Sequence, residues 1–246
     1  MMSEKRFQPG TAAPRDPGTG SFRLPPRQNR FEMTREYWRA RFLERFPAKP
    51  RGSGQDEESQ ARLIERFHLD ADERCLYITY YGQRYAVDRT DGTIVLADDP
   101  GAALPFGPQM SIYHLFCYSR PGAMNSGRFV PFRQVKGASP YAPAFERSIA
   151  EGLARPFDGR LEALRRASGR LNGEPVPQGD VGCIFHAFEC MPVMMVFWDG
   201  DEEFPAQANL LFDANITDFT HEETVCCVAD DLMRRLRELA DVKAGP

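Results

Sequence analysis

Apolar positions recur at two spacings along this chain, and the switches between them mark its elements. Trp38, Phe42 and Phe46 fall four apart, one stripe on a helix that Thr34 is placed to cap and Pro47 to end. Leu63, Ile64 and Phe67 give a second, short helix. The period then drops to two. Leu76, Ile78 and Tyr80 alternate with Tyr77, Thr79 and Tyr81, which predicts a strand. A turn at Gly82-Gln83, a strand over 84–88, a turn at Asp91-Gly92 and a strand over 93–96 complete an antiparallel meander.

Helical spacing returns over 109–119. Met110, Ile112, Tyr113, Leu115, Phe116 and Cys117 leave this helix no polar face, so it is expected inside the protein. An extended piece over 128–132 precedes a helix opened by Ser139-Pro140, with Phe145, Ile149 and Leu153 on one face. Asp158 is placed to cap the next, where Leu161, Leu164 and Leu171 face inward and Arg160, Arg165, Arg166 and Arg170 face water. Residues 181–189 and 193–198 read as strands divided at Met191-Pro192, and 208–212 as another. Thr220 and Glu223 have the spacing of a capping box ahead of a last helix with Val225, Val228, Leu232, Leu236 and Leu239 as its buried stripe. Asp230 with Arg234, and Asp231 with Arg235, are expected as ion pairs on its outside.

Two strand clusters separated by helices predict an α+β protein, an antiparallel sheet with helices packed on it and a long C-terminal helix. Whether the clusters share one sheet stays open. Residues 1–30, with five prolines and few apolar side chains, read as a tail that cannot offset its ordering entropy by burial. Residues 31–56 read as a helix and linker, and 57–246 as a single domain.

Composition changes this picture little. Eighteen Phe and eight Tyr supply a core, and a net charge of −4 gives no case for a nucleic-acid partner. No apolar run spans a bilayer, and the polar N-terminal residues lack a signal peptide's apolar region, so a cytoplasmic protein is expected, with its six cysteines free.

The segment 191–213 carries a Pro192 before an apolar strand, then Asp201-Glu202-Glu203-Phe204-Pro205, Ala208 and Leu211-Phe212-Asp213. This pattern resembles the bacterial and archaeal family called domain of unknown function 3786, over roughly residues 57–240. The meander and the helix around Tyr113-His114-Leu115 are also similar. The resemblance implies an anaerobe and a setting in metallocofactor or one-carbon metabolism, because some members are fused to a four-cysteine iron–sulfur domain like that of corrinoid proteins. No such cysteine cluster exists in this chain. An iron–sulfur or corrinoid protein partner, or a corrinoid-related ligand, is what the resemblance implies.

Candidate chemistry centres on two groups. In an extended 201–204 segment Asp201 and Glu203 share a face, and with Asp213 they make a possible site for a divalent metal or a general acid/base pair. The plainer reading is a solvated turn with one carboxylate accepting backbone N–H bonds. His114, with Tyr113 beside it and Trp198 on the later strand, is the candidate set for binding a cofactor, against a plain core role for the histidine. Other sets fail on spacing. Cys183 and His186 point to opposite strand faces, His186 and Cys190 lie roughly 13 Å apart on a strand, and Cys226 and Cys227 diverge by about 100° on a helix. Gly122 to Phe129 has the glycine spacing of a phosphate loop without its lysine or hydroxyl.

Three readings remain: a non-catalytic module that binds a cofactor or partner, a metal-dependent enzyme built on Asp201, Glu203 and Asp213, and a structural interaction module that docks through the proline-rich tail and the Trp38 stripe.

Overall fold

The computed structural model describes residues 27–48 and 59–241, so the expectations for the tail lie almost entirely outside the described residues, as does most of the linker. In chain order the elements are α1 (Arg27–Arg45), α2 (Gln60–Phe67), β1 (Asp70–Ala71), β2 (Cys75–Tyr80), β3 (Gln83–Asp88), β4 (Ile94–Leu96), α3 (Phe106–Tyr118) and β5 (Phe129–Pro131). There follow α4 (Ala142–Ile149), α5 (Arg155–Phe157), α6 (Leu161–Arg170), β6 (Glu174–Val176), β7 (Val181–Phe188), β8 (Met191–Trp198), β9 (Gln207–Asp213) and α7 (Glu222–Leu239). A π turn at Ala150–Ala154 joins α4 to α5, just ahead of Pro156, which has no N–H to continue a regular ladder.

The protein is α+β, and its strand clusters form two separate antiparallel sheets. The first has order β1-β2-β3-β4, the second β5-β9-β8-β7-β6. In the second, Cys183, Phe185 and Ala187 on β7 and Val193, Met195 and Phe197 on β8 are buried, while Ile184 and Met194 between them are only half-buried. That alternation is what one covered face requires.

Helix α3 runs through the middle, as its all-round apolar sequence demands. Phe42 of α1 packs on Phe116 and Tyr113 at ring separations of 5.7 and 6.3 Å. On its other side lies α7, which buries Val225, Val228, Leu232 and Leu236. Phe42 and Phe46 are fully buried, so the α1 stripe is spent on the chain's own core. Only Trp38 of the stripe stays half-buried, which takes away the main support for a docking role of this helix.

Several local expectations shift. Helix α1 begins at Arg27, and Thr34 lies inside it with its hydroxyl donating to Arg30 O. Pro192 sits within β8 rather than between strands; the turn is Glu189 and Cys190, and a bulge around Ala187 absorbs the proline. His221, not Thr220, caps α7, its Nδ1 accepting the Glu223 N–H at 3.3 Å. The Asp158 side chain does not cap α6 and lies instead against Gly200. Asp231 is buried, and Arg234 bridges it and Glu238, while Arg235 turns inward toward Gln83 and Tyr85.

Candidate functional site

The two sheets meet at the β2–β3 turn. Tyr80 and Gln83 pair directly, leaving Tyr81 and Gly82 as a two-residue loop with φ of 46° and 72°. Both angles are positive, as a type I′ hairpin requires, and a tyrosine there is held against its own preference. Two bonds hold it: the Tyr81 N–H donates to Ala187 O at the end of β7, and its phenol donates to Val228 O of α7, each at 2.9 Å.

Beside this junction a cleft of about 600 Å³ opens between the sheets, within the range of small-molecule sites. Its apolar side chains come from Phe67 at the end of α2 and Leu69 beyond it, Leu115 of α3, Phe188 of β7 and Phe219. Arg66 and Glu189 stand at its rim, together with Arg84, which pairs with Asp70 at 3.0 Å and lies over the Tyr77 ring at 4.3 Å. Helix α2 ends here because His68 takes the left-handed conformation at φ 49° and returns its N–H to Ile64 O. Ser119, at the end of α3, is 1% exposed, and its Oγ has no hydrogen-bond partner among the described residues. Cys190 lines the cleft from the β7–β8 turn, and burial pushes its thiol up to about 12, so it stays protonated at neutral pH.

Tyr113, His114 and Trp198 all lie outside this cleft. Tyr113 is buried and its hydroxyl donates to Gly92 O at 2.7 Å. His114 points elsewhere around the helix. Its Nδ1 meets Thr224 Oγ1 at 2.6 Å, its ring stands edge-on to Trp38 and Tyr118, and its Nε2 is buried without a partner among the described residues. Burial, and then the nearby His221, push its pKa down to about 4. Trp198 is exposed at the end of β8 and makes no ring contact with either.

The carboxylates do not converge either. Asp201 Oδ1 accepts the N–H groups of Glu203 and Phe204 at 2.8 and 2.7 Å, and these two amides, Phe204's first, hold its carboxyl below the usual range. Asp213 stands at the far end of β9, a strand that spans roughly 20 Å at strand rise, whereas Asp201 lies in the loop before its start. It is buried, and its oxygens accept the N–H groups of Ser126, Gly127 and Asn215 and the Ser126 hydroxyl. The glycine-spaced loop after α3 thus aims its amides at an internal carboxylate. Among the described residues no three His, Cys, Asp or Glu side chains gather in a way that would hold a metal ion. His186 is exposed with Glu174 Oε1 at 3.6 Å, and the cysteines are free. The basic face of α6 is partly spent internally: Arg165 donates to Asp180 O and Arg170 to Leu239 O.

Of the cleft's lining, Gly122 to Asn125 fall in the glycine-spaced loop that sequence reading set aside, and the rest was marked by no site motif. Its residues come from five separate stretches, and beyond that loop the neighbouring turn signal at Gly82 pointed toward the place where they meet.

Fold and site together define an α+β protein with an open cleft between two antiparallel sheets. The chain belongs to the family described as Domain of unknown function (DUF3786), whose model matches residues 60–235. Comparison with curated proteins and with solved structures gave no match. Among the described residues no helix is long and apolar enough to cross a membrane.

Proposed function

We propose that this protein is a non-catalytic binding module whose ligand sits in the cleft between the sheets. The observation that carries this reading is the cleft itself: about 600 Å³, a lining that mixes apolar and polar side chains, arginines and carboxylates in equal number, and a buried serine hydroxyl without a partner among the described residues. The cysteine in its wall has a thiol pushed up to about 12, which suits containment better than nucleophilic attack. We place the ligand in anaerobic metallocofactor or one-carbon metabolism, with an iron–sulfur or corrinoid protein as the partner to look for, because that is the setting the family resemblance implies.

The test is native mass spectrometry of the full chain purified without oxygen, with an absorption spectrum of the same sample. An Ala123→Trp variant, which fills the cleft from its half-buried edge, is the control. A small molecule retained by the natural chain and lost from the variant is the expected result. A bare mass, with no stabilisation of the natural chain by a panel of corrinoids, flavins and small amides, overturns the reading.

A further inference from the structure

The cleft follows a break in the pairing of β2. On the edge of β2 away from β3, Cys75 O accepts the Asp72 N–H, Tyr77 pairs with Asp70 of β1, and the Tyr81 N–H goes to Ala187 O. Backbone groups alternate sides along a strand, so Cys75, Tyr77, Thr79 and Tyr81 all present their N–H and C=O to this edge. Leu76, Ile78 and Tyr80 bond across to Val87, Tyr85 and Gln83 of β3. Strand β1 stops at Asp70, because His68 before it belongs to the left-handed cap of α2, and β7 reaches only Tyr81. Thr79 is left between them. Among the described residues no strand pairs with it on this edge, and Thr79 lines the cleft.

Resting on the cleft as a binding site, we propose that its ligand carries an amide edge, a donor N–H and an acceptor C=O side by side, that pairs with both backbone groups of Thr79. This is the exchange an adjacent strand residue would make at that position. The apolar body of the ligand lies against Phe188, Phe219 and Leu115. Ser119 lines the same cleft, and its buried Oγ, without a partner among the described residues, donates to a further acceptor on the ligand. The ligand is uncharged overall. The lining holds two guanidinium groups, Arg66 and Arg84, and two carboxylates, Asp70 and Glu189, with Arg84 already bound to Asp70. An extended peptide residue with an apolar side chain and a small cyclic amide share this chemistry.

The experiment is a titration of the ¹⁵N-labelled full chain with N-acetyl-phenylalanine methylamide. Its ester counterpart, methyl O-acetyl-phenyllactate, lacks both N–H donors, and a phenylalanine-derived diketopiperazine represents the cyclic source. The expected result is a shift of the Thr79 amide together with the amides of Phe188 and Cys190, and binding of the ester weaker by about tenfold. Ser119→Ala weakens the amide probe without moving the Thr79 response. Whichever of the linear and cyclic amides binds tighter identifies the source. If the probe shifts Phe188 and Cys190 but leaves Thr79 unmoved, or the ester binds equally, the amide edge is wrong while the cleft remains a binding site. If no amide around the cleft responds to either amide, the inference is overturned, and the retained-ligand test above then decides the cleft itself.

Discussion

The phenol of Tyr80 donates a 2.8 Å hydrogen bond to Oδ2 of Asp231, a residue 151 positions later. It joins the first sheet to α7 inside the protein, where both residues are buried. Gly107 closes the third side, because a Cβ there would sit 3.0 Å from the same carboxylate oxygen. Burial outweighs the bonds from Tyr80 and Arg234 and holds the Asp231 carboxyl above its ordinary value.

This pair makes the first prediction. Tyr80→Phe leaves a buried carboxylate short of a donor and is expected to cost about 1–3 kcal/mol. Because the folded state holds the Asp231 proton more tightly than the unfolded chain, its contribution to stability is complete below the ordinary value of 3.8 and is lost as pH rises through the raised one. Asp231→Asn removes that loss. Urea midpoints measured from pH 3.5 to 7 should therefore climb more steeply for the variant than for the natural chain; parallel curves contradict the assignment.

His114 works in the opposite direction. Its folded pKa of about 4 lies below the ordinary 6.5, so the unfolded chain takes up a proton first. The stability it lends is full above pH 6.5 and drains away as pH falls toward 4, by roughly 3 kcal/mol for a shift of that size. His114→Gln should flatten this part of the profile. Imidazole resonances give the direct check, since a His114 signal titrating near 6.5 would contradict the burial argument.

Asp213 anchors a loop that is 87 residues away in the chain. Asp213→Ala strands the Ser126 and Gly127 amides and is expected to destabilise the fold by about 3 kcal/mol. Hydrogen exchange should show these two amides losing protection well before those of β8. Unchanged protection would mean the loop is held by something else.

Gly179 has φ of +69°, and a Cβ added there would lie 2.5 Å from the backbone oxygen of Phe197. Gly179→Ala therefore combines a strained dihedral with a clash against a strand that cannot yield cheaply. A loss of roughly 2 kcal/mol or more is expected, read as a lower thermal midpoint, and a neutral effect would show that β8 moves aside.

Much of the fold was legible because its signals are local. The alternation around Ile78 specifies a strand whatever lies beside it, and the all-round apolar surface of α3 leaves it nowhere but the interior. What failed was anything decided by a distant neighbour. Asp231 has the spacing of a surface ion pair, yet Tyr80 draws it inside. Thr220 and Glu223 satisfy a capping pattern, yet the backbone turns one residue later and His221 takes the role. The carboxylates of the acidic motif lie close in sequence, but β9 carries Asp213 to the far end of the sheet. The open edge at Thr79 had no signature at all, since an unpaired strand position differs from a paired one only in what is missing beside it.

The order β5-β9-β8-β7-β6 has a consequence for how the chain assembles. The meander of the first sheet joins neighbours in sequence and can close while later residues are still being synthesised. Phe129–Pro131 has no such option, because its partner strand is Gln207–Asp213. On the ribosome this short segment waits, its edge unsatisfied, until most of the domain has emerged, and the Asp213 carboxylate then arrives to fasten the loop ahead of it. The second sheet is thus completed only when β9 reaches back to β5, the strand pairing of longest sequence separation among the described residues.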